Sequence, residues 1–319
     1  MKNIVTARAH TNIALIKYWG KTDIALNIPT TSSLSMTLEP FYTTTSVEFT
    51  DNESDSLILN SAMEDSSRVS KFLEMMRGQY GNFPKVMIQS ENHVPTAAGL
   101  ASSASSFAAL TAAMFGLLDL EKDDSEMSRI ARRGSGSASR SIFGNFAVWN
   151  KGENHQSSFA ESFYNKDIGL SMIVAEISSE KKKMSSTKGM QLAQTAPTYG
   201  AWVEKSAIQL AEMKQAILQA DIEKVGLIAQ DNALGMHEQN RLCLETILTI
   251  FTSETQRVVD FTKECYKAGL LAFVTIDAGP NVKIITDHAT EKILLTKLKA
   301  EFPELTFDIA RAGGAYEYL

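Results

Sequence analysis

The chain has 319 residues, 44% of them hydrophobic, and carries 31 basic against 37 acidic side chains for a formal charge of −6. That length holds two ordinary domains or one large one, with a sizeable core of the kind found in globular enzymes. The acidic balance excludes a general nucleic-acid binder and makes any anion site local, while the longest mostly apolar run, Phe107 to Leu118, is too short to cross a bilayer.

Along the chain, residues 3–9 read as a strand, 43–50 alternates as a second and 84–90 as a third. Val69, Phe72, Leu73, Met76 and Tyr80 recur on one face of a helix and predict core packing. An apolar helix is expected over 101–118, another over 124–133, and strands over 146–150 and 168–177. Gly152 to Lys166 reads as a polar connection, and the basic, serine-rich Lys181 to Gly189 as a loop that crosses between domains. Helical spacing then covers 198–219, 222–237 and 245–268. Strand 270–276, a tight turn at Asp277-Ala-Gly-Pro-Asn281, strand 282–286, a helix from 288 and a strand near 305–310 complete an α+β order.

The N-terminus lacks an apolar signal core, and Cys243 and Cys265 have no metal-ligand spacing, so the expectation is a cytoplasmic protein with two ordinary buried thiols. Five scattered histidines do not suggest a metal site.

The run Val94-Pro-Thr-Ala-Ala-Gly-Leu-Ala-Ser-Ser-Ala-Ser-Ser106 joins a rigid turn to a helix opened by a glycine and several hydroxyls. Backbone N–H groups and the start of a helix suit a phosphate, with Ser102 and Ser103 adding hydroxyls; a small-residue helix packed on a sheet is the rival reading. The Gly-Lys-Thr at 20–22 is not a Walker loop, since Leu15 stands where its first glycine belongs. Gly134-Ser-Gly-Ser-Ala-Ser139 has Ser139 in place of the last glycine of a dinucleotide fingerprint and follows a helical segment, not a strand.

Three further segments concentrate polar groups. Asn12, Lys17, Tyr18, Trp19 and Lys21 interrupt an apolar stretch in a way that suits a polyanion or a solvated loop. Arg132 to Ser141 combines glycines, serines and Arg140 as an oxyanion holder or a linker. Asp277 can serve as a general base or cap its own turn. The Lys181, Lys182, Lys183 run is read as mostly solvated.

Asn12-Ile-Ala-Leu-Ile-Lys-Tyr-Trp-Gly-Lys21, Pro95-Thr-Ala-Ala-Gly-Leu-Ala-Ser-Ser-Ala104, Arg133-Gly-Ser-Gly-Ser-Ala-Ser-Arg140 and Asp277-Ala-Gly-Pro-Asn281, in this order, resemble the mevalonate diphosphate decarboxylases. These belong to the galactokinase, homoserine kinase, mevalonate kinase and phosphomevalonate kinase superfamily. The resemblance implies a two-domain α+β fold: an N-terminal two-layer domain over 1–183, a ferredoxin-like C-terminal domain over 184–319, and a cleft between them.

It also implies a homodimer and an ATP-dependent decarboxylation of mevalonate 5-diphosphate to isopentenyl diphosphate, ADP, phosphate and carbon dioxide, with a kinase that releases no carbon dioxide as the alternative. Asp277, Arg140 and Asn12 are the implied catalytic residues. Tyr18, Lys21, Lys17, Ser135, Gly136 and Ser186 are implied for the substrate. Asn92, Pro95, Gly99, Leu100, Ala101, Ser102 and Ser103 are implied for ATP, with Ser102 also on Mg2+. A silent ligand sensor is the rival from another class, and intact Asp277 and Arg140 oppose it.

Overall fold

The computed structural model describes residues 4–94, 102–177, 185–243 and 252–319. The chain begins with β1 (Ile4–Ile16), a small hairpin of β2 (Lys21–Asp23) and β3 (Ile28–Pro29), and the long β4 (Ser33–Thr50). The short strands β5 (Ser56–Leu59) and β6 (Ala62–Glu64) precede α1 (Ser67–Tyr80) and β7 (Lys85–Asn92). Helices α2 (Ser102–Leu117) and α3 (Asp124–Gly134), a 3-10 turn at Gly136–Ser139, and strands β8 (Phe146–Asn150) and β9 (Phe159–Tyr164) complete the first half. The second half runs β10 (Leu170–Glu176), α4 (Ser186–Ala193), α5 (Tyr199–Leu218), α6 (Ile222–Arg241), α7 (Ser253–Lys267), β11 (Phe273–Ile276) and β12 (Val282–Asp287). It ends with α8 (Glu291–Glu301), β13 (Thr306–Arg311) and β14 (Glu317–Tyr318).

The first sheet orders its strands β14-β1-β4-β7-β5-β6, with β8 also paired to β4 and β9 to β8. One face carries α1, α2 and α3: Val5, Ala7, Ala9, Val47, Val86 and Ile88 from the strands meet Phe72, Leu73, Met76, Phe107, Leu110 and Ile130 from the helices in one buried cluster. Small residues on α2, with Ala104, Ala108, Ala109, Ala112 and Ala113 all buried, let that helix lie close to the sheet. The second sheet has the antiparallel order β11-β12-β10-β13. Its connections, helices between β10 and β11 and α8 between β12 and β13, make the split β-α-β-β-α-β arrangement of a ferredoxin-like domain.

A second cluster joins the halves. Ile13, Leu15, Leu34 and Met36 of the first sheet pack with Met172 and Val174 of β10, Met213 and Ile217 of α5, Ile228 of α6 and Phe273 of β11. α6 approaches β11 so closely that a Cβ at Gly226 would overlap the Phe273 ring. Gly226→Ala is therefore expected to destabilise by about 1–3 kcal/mol through overpacking, read as a lower urea midpoint at unchanged slope.

Three expectations from sequence differ from the structure. β1 continues to Ile16 because both its faces become buried beyond His10, which removes the alternation that marks a strand. β9 forms inside the expected polar connection as an edge strand paired only to β8 among the described residues, where Glu161 and Ser162 can both stay exposed. Ser186–Ala193 is helical rather than loop, nucleated where the Ser185 hydroxyl accepts from the Lys188 N–H. β10, which precedes the boundary expected at 183/184, pairs with β12 and β13 in the second sheet. Among the described residues no helix is long and apolar enough to cross a membrane.

Candidate active site

A cavity of about 560 Å³ lies where the end of β1, the 3-10 turn, the start of α4 and the turn after β11 converge. Its charged lining is Lys17, Lys21, Arg68 and Arg140 against the carboxylate of Asp277. β1 aims its residues there through a register shift between His10 and Asn12. Before the shift Val5, Ala7 and Ala9 face the helices; after it Ile13 and Leu15 join the opposite cluster, and Asn12 and Ala14 line the cavity. Gly20, at φ +114°, then turns the chain beneath Tyr199, whose hydroxyl donates to the Trp19 carbonyl at 2.8 Å.

Asp277 sits directly after β11, and Lys17 donates to its Oδ1 at 2.7 Å from the other sheet. Lys283 on β12 lies 3.7 Å from Oδ2. Both lysines are almost fully buried, at 2% and 1% exposure, whereas Asp277 keeps 24%. Burial pulls the Lys17 ammonium below its ordinary pKa, an effect that the Asp277 charge partly offsets. The Lys17 backbone is fixed as well: its N–H donates to Asn232 Oδ1 at 2.8 Å and its carbonyl accepts from Thr31 at 3.1 Å.

Arg140 follows the 3-10 turn and is buried. Its Nε donates to Asn12 Oδ1 at 3.2 Å and to Ser35 Oγ at 3.0 Å, and its Nη1 donates to Ser33 Oγ. Asn12 in turn donates to the Ser137 carbonyl at 3.0 Å and to Ser141 Oγ at 2.8 Å, which fixes its amide. Burial lowers the guanidinium to about 10, with Asp277 opposing, so Arg140 stays charged at neutral pH. Among the described residues no carboxylate forms an ion pair with it, and a buried cation of this kind favours an incoming anion.

The remaining cationic wall holds Lys21, whose Nζ donates to Asn27 Oδ1 at 2.6 Å and Thr187 Oγ1 at 3.2 Å, and Arg68, which donates to the Gly134 carbonyl at 2.9 Å. Burial and the neighbouring Arg68 lower the Lys21 ammonium. The hydroxyls of Ser103, Ser135 and Ser137 form a chain with 3.2 Å steps. Tyr18 stacks edge-on against Trp149, and its buried hydroxyl has no hydrogen-bond partner among the described residues, an orphan donor beside this wall. A Cβ at Gly136 would come within 2.6 Å of the Tyr18 ring. Gly136→Ala is thus expected to displace Tyr18 and raise KM for an anionic substrate about tenfold with a smaller change in kcat, measured by steady-state kinetics.

The cavity thereby brings together Asp277, Arg140, Asn12, Tyr18, Lys21, Lys17, Ser135, Gly136, Ser186 and Ser103 from the sequence-based set. Lys17, expected on the substrate, lines the cavity and also donates to Asp277. Asn92 and Ser102 are not among the lining residues; the Asn92 side-chain oxygen accepts from Thr43 at 3.1 Å. Pro95, Gly99, Leu100 and Ala101, and the Lys181 to Lys183 run, lie outside the described residues. Sequence reasoning missed Arg68, Asn27, Thr187 and Lys283. Arg68 sits in an amphipathic helix where a solvated face explains it, and Lys283 follows the turn within an apolar strand, where its charge was the available signal.

A family model described as the diphosphomevalonate decarboxylase-like N-terminal domain matches residues 9–160, and one described as the mevalonate 5-diphosphate decarboxylase C-terminal domain matches 172–314. The chain belongs to the diphosphomevalonate decarboxylase family. Diphosphomevalonate decarboxylase of Candida albicans is 36% identical over 318 residues, covering 92% of this chain and 87% of its own. Mevalonate diphosphate decarboxylase of Staphylococcus aureus superposes with a TM-score of 0.95 at 40% identity, over 100% of this chain and 98% of its own. A structure described as MDDEF in complex with MVAPP, AMPPCP and magnesium superposes at 0.94 with 37% identity, covering 99% and 98%. The likeness spans both halves of this family member, so the two-domain α+β architecture is shared throughout.

Proposed function

We propose that this chain catalyses the ATP-dependent decarboxylation of mevalonate 5-diphosphate to isopentenyl diphosphate, ADP, phosphate and carbon dioxide. The observation that carries the reading is one carboxylate, Asp277, oriented by Lys17 in a cavity whose buried Arg140 has no carboxylate partner among the described residues. The substrate brings a diphosphate, a carboxylate and a tertiary hydroxyl, and each meets a matching group.

Lys21, Arg68, the Tyr18 hydroxyl and the Ser135-Gly136 backbone are the donors for the diphosphate, and this remote binding energy orients the reacting carbon. Asp277 accepts the hydroxyl proton as that oxygen attacks the γ-phosphorus in line and ADP leaves. The bond between the tertiary carbon and the newly phosphorylated oxygen then breaks, phosphate departs with that bond's electrons, and the electrons of the C–C bond to the carboxylate form the double bond as carbon dioxide leaves. Arg140 and Asn12 hold that carboxylate in line with the leaving phosphate.

The Ser103, Ser135 and Ser137 hydroxyls fit the phosphate end of ATP, and no cluster of three metal-ligating side chains occurs among the described residues. Serine hydroxyls such as Ser103 would hold Mg2+ together with the nucleotide phosphates, and the ion would supply charge neutralisation for phosphoryl transfer. A homodimer and a cytoplasmic location complete the reading, the first checked by analytical ultracentrifugation and the second by cell fractionation.

The decisive experiment supplies mevalonate 5-diphosphate with MgATP. Stoichiometric carbon dioxide, isopentenyl diphosphate, ADP and phosphate support the proposal. ADP with a stable phosphorylated acid replaces it with a kinase.

A further inference from the structure

Lys283 lies outside the cavity lining yet its ammonium is 3.7 Å from Asp277 Oδ2, while Lys17 occupies Oδ1 at 2.7 Å. The same Nζ donates to the Asn281 carbonyl at 3.3 Å, so it ties the far end of the Asp277 to Asn281 turn to the carboxylate at its start. Asn281 is anchored in turn, its side-chain oxygen accepting from the Ile177 N–H at 2.7 Å. A buried ion pair is poor support for stability by itself, since apolar replacements of similar size often do as well or better. Lys17 already pairs with Asp277 at 2.7 Å, and a second ammonium that is 1% exposed beside the same carboxylate carries a desolvation cost of its own. The two lysines also come from different sheets: Lys17 reaches across the cleft, whereas Lys283 shares its sheet with the acid.

We propose that Lys283 is a positioning residue for Asp277, holding Oδ2 and its turn so that the carboxylate keeps one orientation toward the reacting hydroxyl. The inference rests on the decarboxylase reading above. Lys283→Met, close in length and without charge, is expected to lower kcat about 10- to 100-fold, the scale typical of residues that orient a reacting group's partners. The Kd for mevalonate 5-diphosphate by calorimetry is expected to change less than about threefold, because Lys283 does not line the cavity. Lys283→Arg restores part of kcat.

The diagnostic is a double-mutant cycle: in an Asp277→Asn background, Lys283→Met costs less than about threefold further. Full kcat in Lys283→Met, or an equal loss in both backgrounds, overturns the proposal, as does a loss that simply tracks a fall in folded fraction by circular dichroism. If Lys283→Met does not fold, Lys283→Gln is judged by the same criteria. An inactive wild-type enzyme sinks the decarboxylase reading instead, so the two failures are distinguishable.

Discussion

Asp277→Asn is expected to lower kcat by about 10³-fold or more while leaving substrate affinity intact or slightly tighter. The size follows from the role: an oriented proton acceptor contributes about 10²- to 10⁴-fold, and the amide cannot take the proton. The sign of the binding effect follows from charge. Removing the negative group from a cavity lined by Lys17, Lys21, Arg68 and Arg140 makes it more attractive to a polyanion. Asparagine preserves shape and gives Lys17 an oxygen to donate to, whereas Asp277→Ala leaves the buried Lys17 without its 2.7 Å partner and confounds chemistry with stability. Single-turnover measurement of ADP formation and calorimetric titration with mevalonate 5-diphosphate separate the two quantities. Near-normal turnover would remove Asp277 from the mechanism.

Arg140→Gln is expected to reduce kcat/KM by about 10²- to 10⁴-fold, corresponding to about 3–5 kcal/mol for a desolvated charge contact. The loss should appear in both kcat and KM, because an arginine that holds the carboxylate acts in the ground state and through bond cleavage. Stability is expected to move the other way. Without substrate, Arg140 is a buried cation held by Asn12, Ser33 and Ser35 and by no carboxylate among the described residues. A neutral side chain that can still donate to those oxygens avoids its desolvation cost. The melting temperature of Arg140→Gln should equal or exceed that of the wild type while activity collapses. Unchanged kcat/KM for the diphosphate substrate would contradict the assignment.

These two residues show how differently parts of the site were legible. Arg140 was visible as a cation in a glycine-serine segment, and Asp277 as an acid in a tight turn after an apolar strand. The choice for Asp277 between base and turn cap was not visible, because it depends on Lys17, 260 residues away in sequence. Lys17 itself looked like one more cation for a polyanion. Its contact with Asp277 required the second cluster, in which Ile13 and Leu15 bring the end of β1 against α5, α6 and β10.

Local chemistry along the chain was enough to specify most helices, the core strands, the glycine turns and the families of polar groups, since periodicity and turn propensity act over a few residues. It was enough also for the family, because the four segments keep their residue types and order. What tertiary structure alone decided is which way those groups point and whom they meet. The shift between His10 and Asn12 swaps the faces of β1, and no short-range pattern encodes it, because it arises where β4 runs past β1 out of step. The burial of β1 on both sides likewise comes from α5 and α6 of the second half packing over it, which erases the alternation that a single strand would otherwise display.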